Sequence, residues 1–384
     1  VSAPRLEIHL DRISRNAEAL VERLSPLGIA VCGVTKATLG SPKVARELLA
    51  AGASSLGESR IENIERLRQA GITAQIALIR SPMLSQVDRV VESADISLNS
   101  ELDVIHRLST AAHRQHKRHG VILMVELGDL REGIMPGDLH DAVRQVLAFP
   151  GIALRGIGTN LACQSGVIPD TSNMAELSAL ATSIEASFGI SLGIISGGNS
   201  ANLPWALAPR AEIGRINHLR LGESILLGRE PVGRSVLDGL RPDTISIIGE
   251  VIESKQKPSV ARGAIGQGAF GPVTERRVAR GEARRVIVAL GRQDVDTDGI
   301  VAPPGYEILG AGSDHLVLES VGEVPGIGSE LRFELTYAAL LRSMTSPFVA
   351  REYVRSDETL APVIPAAVPP SSVEAASSQE PRQS

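Results

Sequence analysis

Between residues 29 and 222 the chain alternates, eight times over, a short apolar run with a longer amphipathic stretch. The runs are IAVCGVT (29–35), ASSLG (53–57), QIALIR (75–80), DISLN (95–99), VILMVEL (121–127), ALRGIGT (153–159), LGIISG (192–197) and NHLRLG (217–222). Between them lie segments such as SPKVARELLAAG, SRIENIERLRQAG and NMAELSALATSIEASFG, with helical spacing of their apolar residues. Short continuous apolar strands joined by helices belong to a parallel sheet covered on its outside, because parallel neighbours need a long crossover. Eight such units predict a closed (β/α)₈ barrel of the TIM type over residues 1–235. An open doubly wound sheet is the rival, but its glycine-rich dinucleotide turn is missing after the first run.

The texture changes near Leu237. TISIIGEVIES, ARRVIVALG, YEILG, DHLVLES and SELRFELT are short, punctuated by Gly and Pro, and have no long helix between them. They predict a second, mainly β domain over residues 236–358. The remainder, 359–384, is rich in Pro, Ala and Ser and reads as a disordered tail. A net charge of -5 and an aromatic content of 2% give no basic stripe or stacking platform, so neither nucleic acid nor membrane is an expected partner. Two cysteines cannot make a disulfide framework, and the start VSAPRLEIHLDRI lacks the apolar stretch of a secretory leader. A cytoplasmic enzyme is the expectation.

A barrel carries its chemistry at the carboxyl ends of its strands. Lys36 follows the first run and shares a face with Cys32 and Val34, so it points into a partly dry mouth where desolvation lowers an ammonium pKa. That is the state an imine-forming lysine needs, although a lone lysine more often snorkels to solvent. GDLREG brings Arg131 and TNLA brings Asn160. In SGGNSANL, Gly198, Asn199 and Ser200 open a helix, where backbone amides and a hydroxyl make an anion cradle or an ordinary capped turn. Arg220 lies on the eighth strand and needs an acceptor there. An amine, a phosphate cradle and an arginine between them match one cofactor, pyridoxal 5'-phosphate. No metal site is expected: DVDTDG lacks the twelfth-position Glu of a calcium loop, and His113, His116 and His119 read as a solvated helix end.

With these motifs in hand, together with ESRIENI, MVELGDLREGIMPG, GTNLACQ, INHLRLGESILLG, KQKPSV, GQGAFG and GSDHLVLE, the chain resembles the alanine racemase family of fold-type III pyridoxal-phosphate enzymes, and within it the ornithine racemase branch. The resemblance implies that Lys36 forms the imine with the cofactor and that Arg131 bonds its phenolic oxygen. Asn160 then stands where a histidine lies near the ring, Ser200 and Tyr337 hold phosphate, and Arg220 faces the ring nitrogen. An arginine donates to that nitrogen without protonating it, which weakens the electron sink and favours racemisation over decarboxylation. The resemblance also implies a homodimer with shared active sites.

Two departures follow from the same comparison. The partner tyrosine of alanine racemases is matched by Phe270 in GQGAFG, so another group must serve the second face of the α-carbon; His315 and Asp314 in GSDHLVLE are the candidates. Met124 stands where a carbamylated lysine often supports the arginine, leaving Glu126 or Asp129 to position Arg131. Cys163 is expected as a small buried residue, Glu223 as a helix cap, and Asp294 as an acidic loop residue at the entrance. The function expected is interconversion of the L- and D-isomers of a basic, ornithine-like amino acid. A decarboxylase of basic amino acids, a non-catalytic carrier of the cofactor and a cofactor-free barrel enzyme are the alternatives.

Overall fold

The computed structural model describes residues 2–271, 281–322 and 324–355; the tail lies outside the described residues. After β1 (Arg5–His9), eight strands close into a parallel barrel in sequence order: β2 (Ala30–Val34), β3 (Ser55–Glu58), β4 (Ile76–Leu78), β5 (Ile96–Asn99), β6 (His119–Met124), β7 (Ile152–Gly158), β8 (Ile194–Gly198) and β9 (His218–Leu221). Each predicted run contributes one strand. Helices α1 (Leu10–Leu24), α2 (Pro42–Ala50), α3 (Ile61–Gln69), α4 (Val87–Ser93), α5 (Leu102–Arg114), α6 (Leu139–Ala148), α7 (Thr171–Phe188), α8 (Leu203–Ala206) and α9 (Glu223–Leu227) cover the outside. Their ends follow local chemistry: Ser41 caps α2 just before Pro42, and α7 runs from an Asp170–Asn173 capping box to Gly189 in the left-handed region.

The barrel encloses two kinds of filling. Ala77, Ile96, Leu98, Ile122 and Met124 form a separate apolar cluster. Beside it, Cys32, Ser196, His218 and Arg220 are buried polar or sulfur-bearing groups on β2, β8 and β9. Cys32 pairs in register with Arg220, and burial pushes its thiol up to about 11. An apolar plug with a polar half is the interior of a barrel that must hold something charged at one end.

The second unit is an eight-stranded, mostly antiparallel sheet. Its path runs β12 (Ile300–Val301), β15 (Glu330–Leu335), β10 (Ile245–Pro258), β11 (Glu282–Val288), β14 (Leu316–Ser320) and β13 (Tyr306–Ala311), with β16 (Ala350–Val354) joined through β1. The segment PRLEIHL, read as part of the barrel unit, belongs to this sheet: β1 lies antiparallel to β10 and parallel to β16. Arg5 on β1 binds Glu330 at 2.6 Å and Glu7 at 2.8 Å. Pairing across some 240 residues of sequence leaves no local signature, which is why the sequence did not reveal it. The units are also joined by Asn16 of α1, whose amide donates to the carbonyls of Ile225 (3.0 Å) and Arg241 (2.8 Å).

Two further expectations are corrected. Tyr337 opens a helix, α10 (Tyr337–Thr345), capped by Thr336, within the unit read as mainly β. His119 is not on a solvated helix end; it is buried in β6 against Ser97 at 2.8 Å, and burial brings its imidazole down to about 4. Among the described residues no helix is long and apolar enough to cross a membrane.

Strand spacing sets a test of the barrel. A Cβ on Gly156 would run into the Ile194 carbonyl of the neighbouring strand, whereas one on Gly137 would meet open space. Gly156→Ala is expected to lower unfolding free energy by about 1–3 kcal/mol, and Gly137→Ala to leave it within error, in urea titrations of the two variants.

Candidate active site

A cavity of about 740 Å³ opens at the carboxyl ends of the barrel strands and under the first turn of α10. Lys36, Arg131, Asn160, Asn199, Ser200, Arg220 and Tyr337 all line it, brought from five barrel strands and the second unit. The sequence had singled out each of these seven.

Lys36 follows β2 at a point held by its predecessor. The Thr35 hydroxyl donates to the fully buried Glu58 carboxylate at 3.0 Å, and its amide donates to the Gly57 carbonyl at 3.0 Å. Glu58 is further anchored by the Ser59 amide at 2.7 Å and by Asn63 at 3.2 Å. The amine lies 5.7 Å from the centre of the Tyr337 ring. Burial lowers its pKa below the ordinary lysine value, with Arg131 and Arg220 adding to the effect and Cys163 and Glu58 opposing it. Burial also pushes the Tyr337 phenol up, so that group stays a hydrogen-bond donor at neutral pH.

Arg220 is buried and makes no ion pair among the described residues. Its guanidinium donates to Ser196, to the Thr159 carbonyl at 2.9 Å and to the Asn160 amide oxygen at 3.3 Å. Asn160 also accepts from Asn199 at 3.1 Å, while its own amide nitrogen is buried with no acceptor among the described residues. On the far wall, the Ser200 hydroxyl meets that of Ser224 at 2.9 Å. Gly198 serves by conformation and not by contact: it does not line the cavity, but its φ of 144° and the closeness of the Asn202 side chain admit no Cβ.

The support of Arg131 differs from both expected candidates. Its guanidinium is bound by the neighbouring Glu132, which the sequence reading passed over. Glu126 instead accepts from the backbone amides of Gly128, Leu130 and Arg131, holding the loop and not the guanidinium. Asp129, fully buried, accepts from the amides of Cys163, Gln164 and Ser165, tying the loop after β6 to the loop after β7. Cys163 is therefore held at the mouth, exposed and lining the cavity. Glu223 also lines it, paired with Arg234 at 3.0 Å. Arg80 lines it as well, and no motif pointed there.

The structure does not bring His315 and Asp314 to the cavity of their own chain. They sit exposed at the turn before β14, joined to each other at 2.6 Å, with the Asp314 backbone against Gly291. Phe270 is exposed, 5.1 Å from the Arg292 guanidinium, and Asp294 is buried, accepting from the Gly291 amide at 2.9 Å. Among the described residues no group of three or more His, Cys, Asp or Glu is placed to hold a metal ion.

Comparison with known proteins adds independent findings. The family profile described as alanine racemase, N-terminal domain, matches residues 8–230. The chain is 40% identical over 353 residues to a lysine racemase of Thermotoga maritima, covering 91% of this chain and 98% of that protein. It is 35% identical over 356 residues to an ornithine racemase of Acetoanaerobium sticklandii, covering 91% and 99%. The fold matches that of an alanine racemase from Streptomyces coelicolor with a TM-score of 0.72, at 20% identity over 92% of this chain and 98% of that one.

The surroundings of Lys36 give a pH test. With burial lowering the pKa of the folded amine below that of an ordinary lysine, acylation of Lys36 in the cofactor-free native protein should reach half its maximal rate at a lower pH than in the unfolded chain. In urea the midpoint should rise to about 10.4. Peptide mass spectrometry across pH measures both; equal midpoints would remove burial as the cause.

Proposed function

The chain belongs to the alanine racemase family, and from that premise we propose that it is a pyridoxal-phosphate-dependent racemase of a basic amino acid, acting as a homodimer. The observation carrying the reading is Lys36, an amine that burial holds against its charge in a cavity otherwise rich in cations. Arg80, Arg131, Arg220 and Arg234 join it there, against only the carboxylates of Glu132 and Glu223. Such an excess calls for a ligand with several negative charges. The unmatched amide nitrogen of Asn160 and the absence of a carboxylate on Arg220 are consistent with a polar ring seated between them.

The residues fit the cofactor. Lys36 would join its aldehyde, Ser200 and Tyr337 would hold its phosphate, Arg131 its phenolic oxygen, and Arg220 with Asn160 its ring nitrogen and edge. When bound, it would supply the electron-withdrawing ring that acidifies the α-carbon of an attached amino acid. Lys36, whose charged form burial disfavours, takes the α-proton on one face and returns it in the reverse direction. Arg220 would donate to the ring nitrogen without giving up its own proton, a role that favours reversible proton exchange over decarboxylation. Ser200 and Tyr337 keep the reacting centre oriented. A basic substrate is favoured by the names of the two relatives that match nearly end to end.

The other face of the α-carbon needs its own proton carrier. In one chain Glu132 and Glu223 are engaged by arginines and Tyr337 stands against Lys36 itself. We assign the role to His315 of a second copy, oriented by Asp314: the carboxylate holds Nδ1 and leaves Nε2 free. Exposure of this dyad outside its own cavity is what a shared site requires.

Incubated with cofactor, the protein should show an absorbance band near about 420 nm, absent in Lys36→Ala, and should convert L-lysine or L-ornithine to the D-isomer. Carbon dioxide without a D-product would make it a decarboxylase, and a band without any turnover would make it a carrier. Shared sites predict that inactive Lys36→Ala and His315→Ala chains regain activity when unfolded and refolded together. No recovery, with Cys163→Ala also inactive, would hand the second face to that thiol.

A further inference from the structure

Every arginine around the cavity except one is engaged. Arg131 is bound to Glu132, Arg234 to Glu223, and Arg220 to Ser196, Thr159 and Asn160. Arg80 makes no hydrogen bond or ion pair with any described residue, and its Nε is buried without an acceptor. The Nε of this half-buried guanidinium is held from water with no partner in return, and its fork matches one kind of acceptor best, a carboxylate bound through two parallel N–H bonds.

The barrel fixes where that carboxylate belongs. Four cavity residues stand at quarter-turns around the ring: Lys36 after β2, Arg80 after β4, Arg131 after β6 and Ser200 after β8. Arg80 is thus four strands from the anion cradle at Ser200, directly across the mouth, with Lys36 midway between them. An anion already held at Ser200 cannot also occupy Arg80. The backbone keeps Arg80 in place, the adjacent Ile79 amide donating to the Glu58 carbonyl at 2.9 Å, so the lysine turn and the arginine share one support.

We propose that Arg80 binds the α-carboxylate of the amino-acid substrate. This rests on the racemase reading and deepens it. Loss of carbon dioxide requires the carboxylate to surrender its charge, and an ion pair to Arg80 stabilises the charged form, so the same contact that recruits the substrate suppresses decarboxylation.

Equilibrium titrations of the cofactor-loaded protein test the assignment. The probes are L-lysine and 1,5-diaminopentane, which differ only in the carboxylate, and binding is read from the cofactor absorbance. The wild type should prefer L-lysine by about 10²-fold, the order expected for removing one partner of a partly buried, hydrogen-bonded charge pair. Arg80→Gln should reduce that preference to less than about tenfold, chiefly by weakening L-lysine, with cofactor affinity unchanged; Arg80→Lys, which keeps the charge but not the fork, should lie between. A preference unaltered in Arg80→Gln, or a loss of cofactor affinity with the preference intact, would overturn the assignment. If the wild type takes up neither probe and exchanges no α-proton of L-lysine in deuterated water, it is the racemase reading that fails.

Discussion

The partial burial of one amine is the constraint around which this molecule is arranged. Disfavouring the charged form of Lys36 depends on screening it from solvent, and screening at a barrel mouth requires a roof. α10 supplies it from the second unit, setting the Tyr337 ring beside the amine. The floor is the apolar plug of β4, β5 and β6, and the wall is the row of arginines whose field also disfavours a proton on the lysine. Burial, roof and charge act in the same direction. Glu58, Cys163 and Glu223 oppose them, and Glu58 is itself pushed toward its neutral form by burial while its oxygens are occupied by Thr35, Asn63 and backbone amides.

Much of this was legible in the sequence because it is local. Eight short apolar runs became eight barrel strands, and period-two alternation put Cys32, Val34 and Lys36 on one face. Strand ends gave Arg131, Asn160, Asn199, Ser200 and Arg220, since a barrel turns strand ends into a common cavity. What escaped depends on chain path. Glu132 binds Arg131 through the shape of one loop, in which Leu130 adopts a positive φ of 53° and Gly133 one of 158°. Arg80 carries no motif, and its significance lies in having no neighbour to satisfy it. His119 looked solvated because basic residues flank it, yet its backbone is the first residue of a strand.

The loops after β6 and β7 show how polar groups without catalytic chemistry can still govern a site. Asp129, with no exposure to solvent, spends its carboxylate on three backbone amides of the next loop, and the Ser165 hydroxyl returns a bond to its carbonyl at 2.7 Å. Arg131 on one side and Cys163 on the other are thereby fixed to each other. Local stability at such a clamp determines how far the mouth can open without unfolding a helix.

The placement of β1 bears on how the chain is made. Its hydrogen-bonding partners are β10 and β16, so a strand that precedes the barrel has nothing to pair with until Ile245–Ile248 have left the ribosome, and its second neighbour comes only with Ala350–Val354. The barrel strands, whose neighbours are successive in sequence, can close in the meantime. Assembly is therefore vectorial for one half of the molecule and deferred for the other, and α10, which roofs the lysine, arrives only as that deferred half is completed.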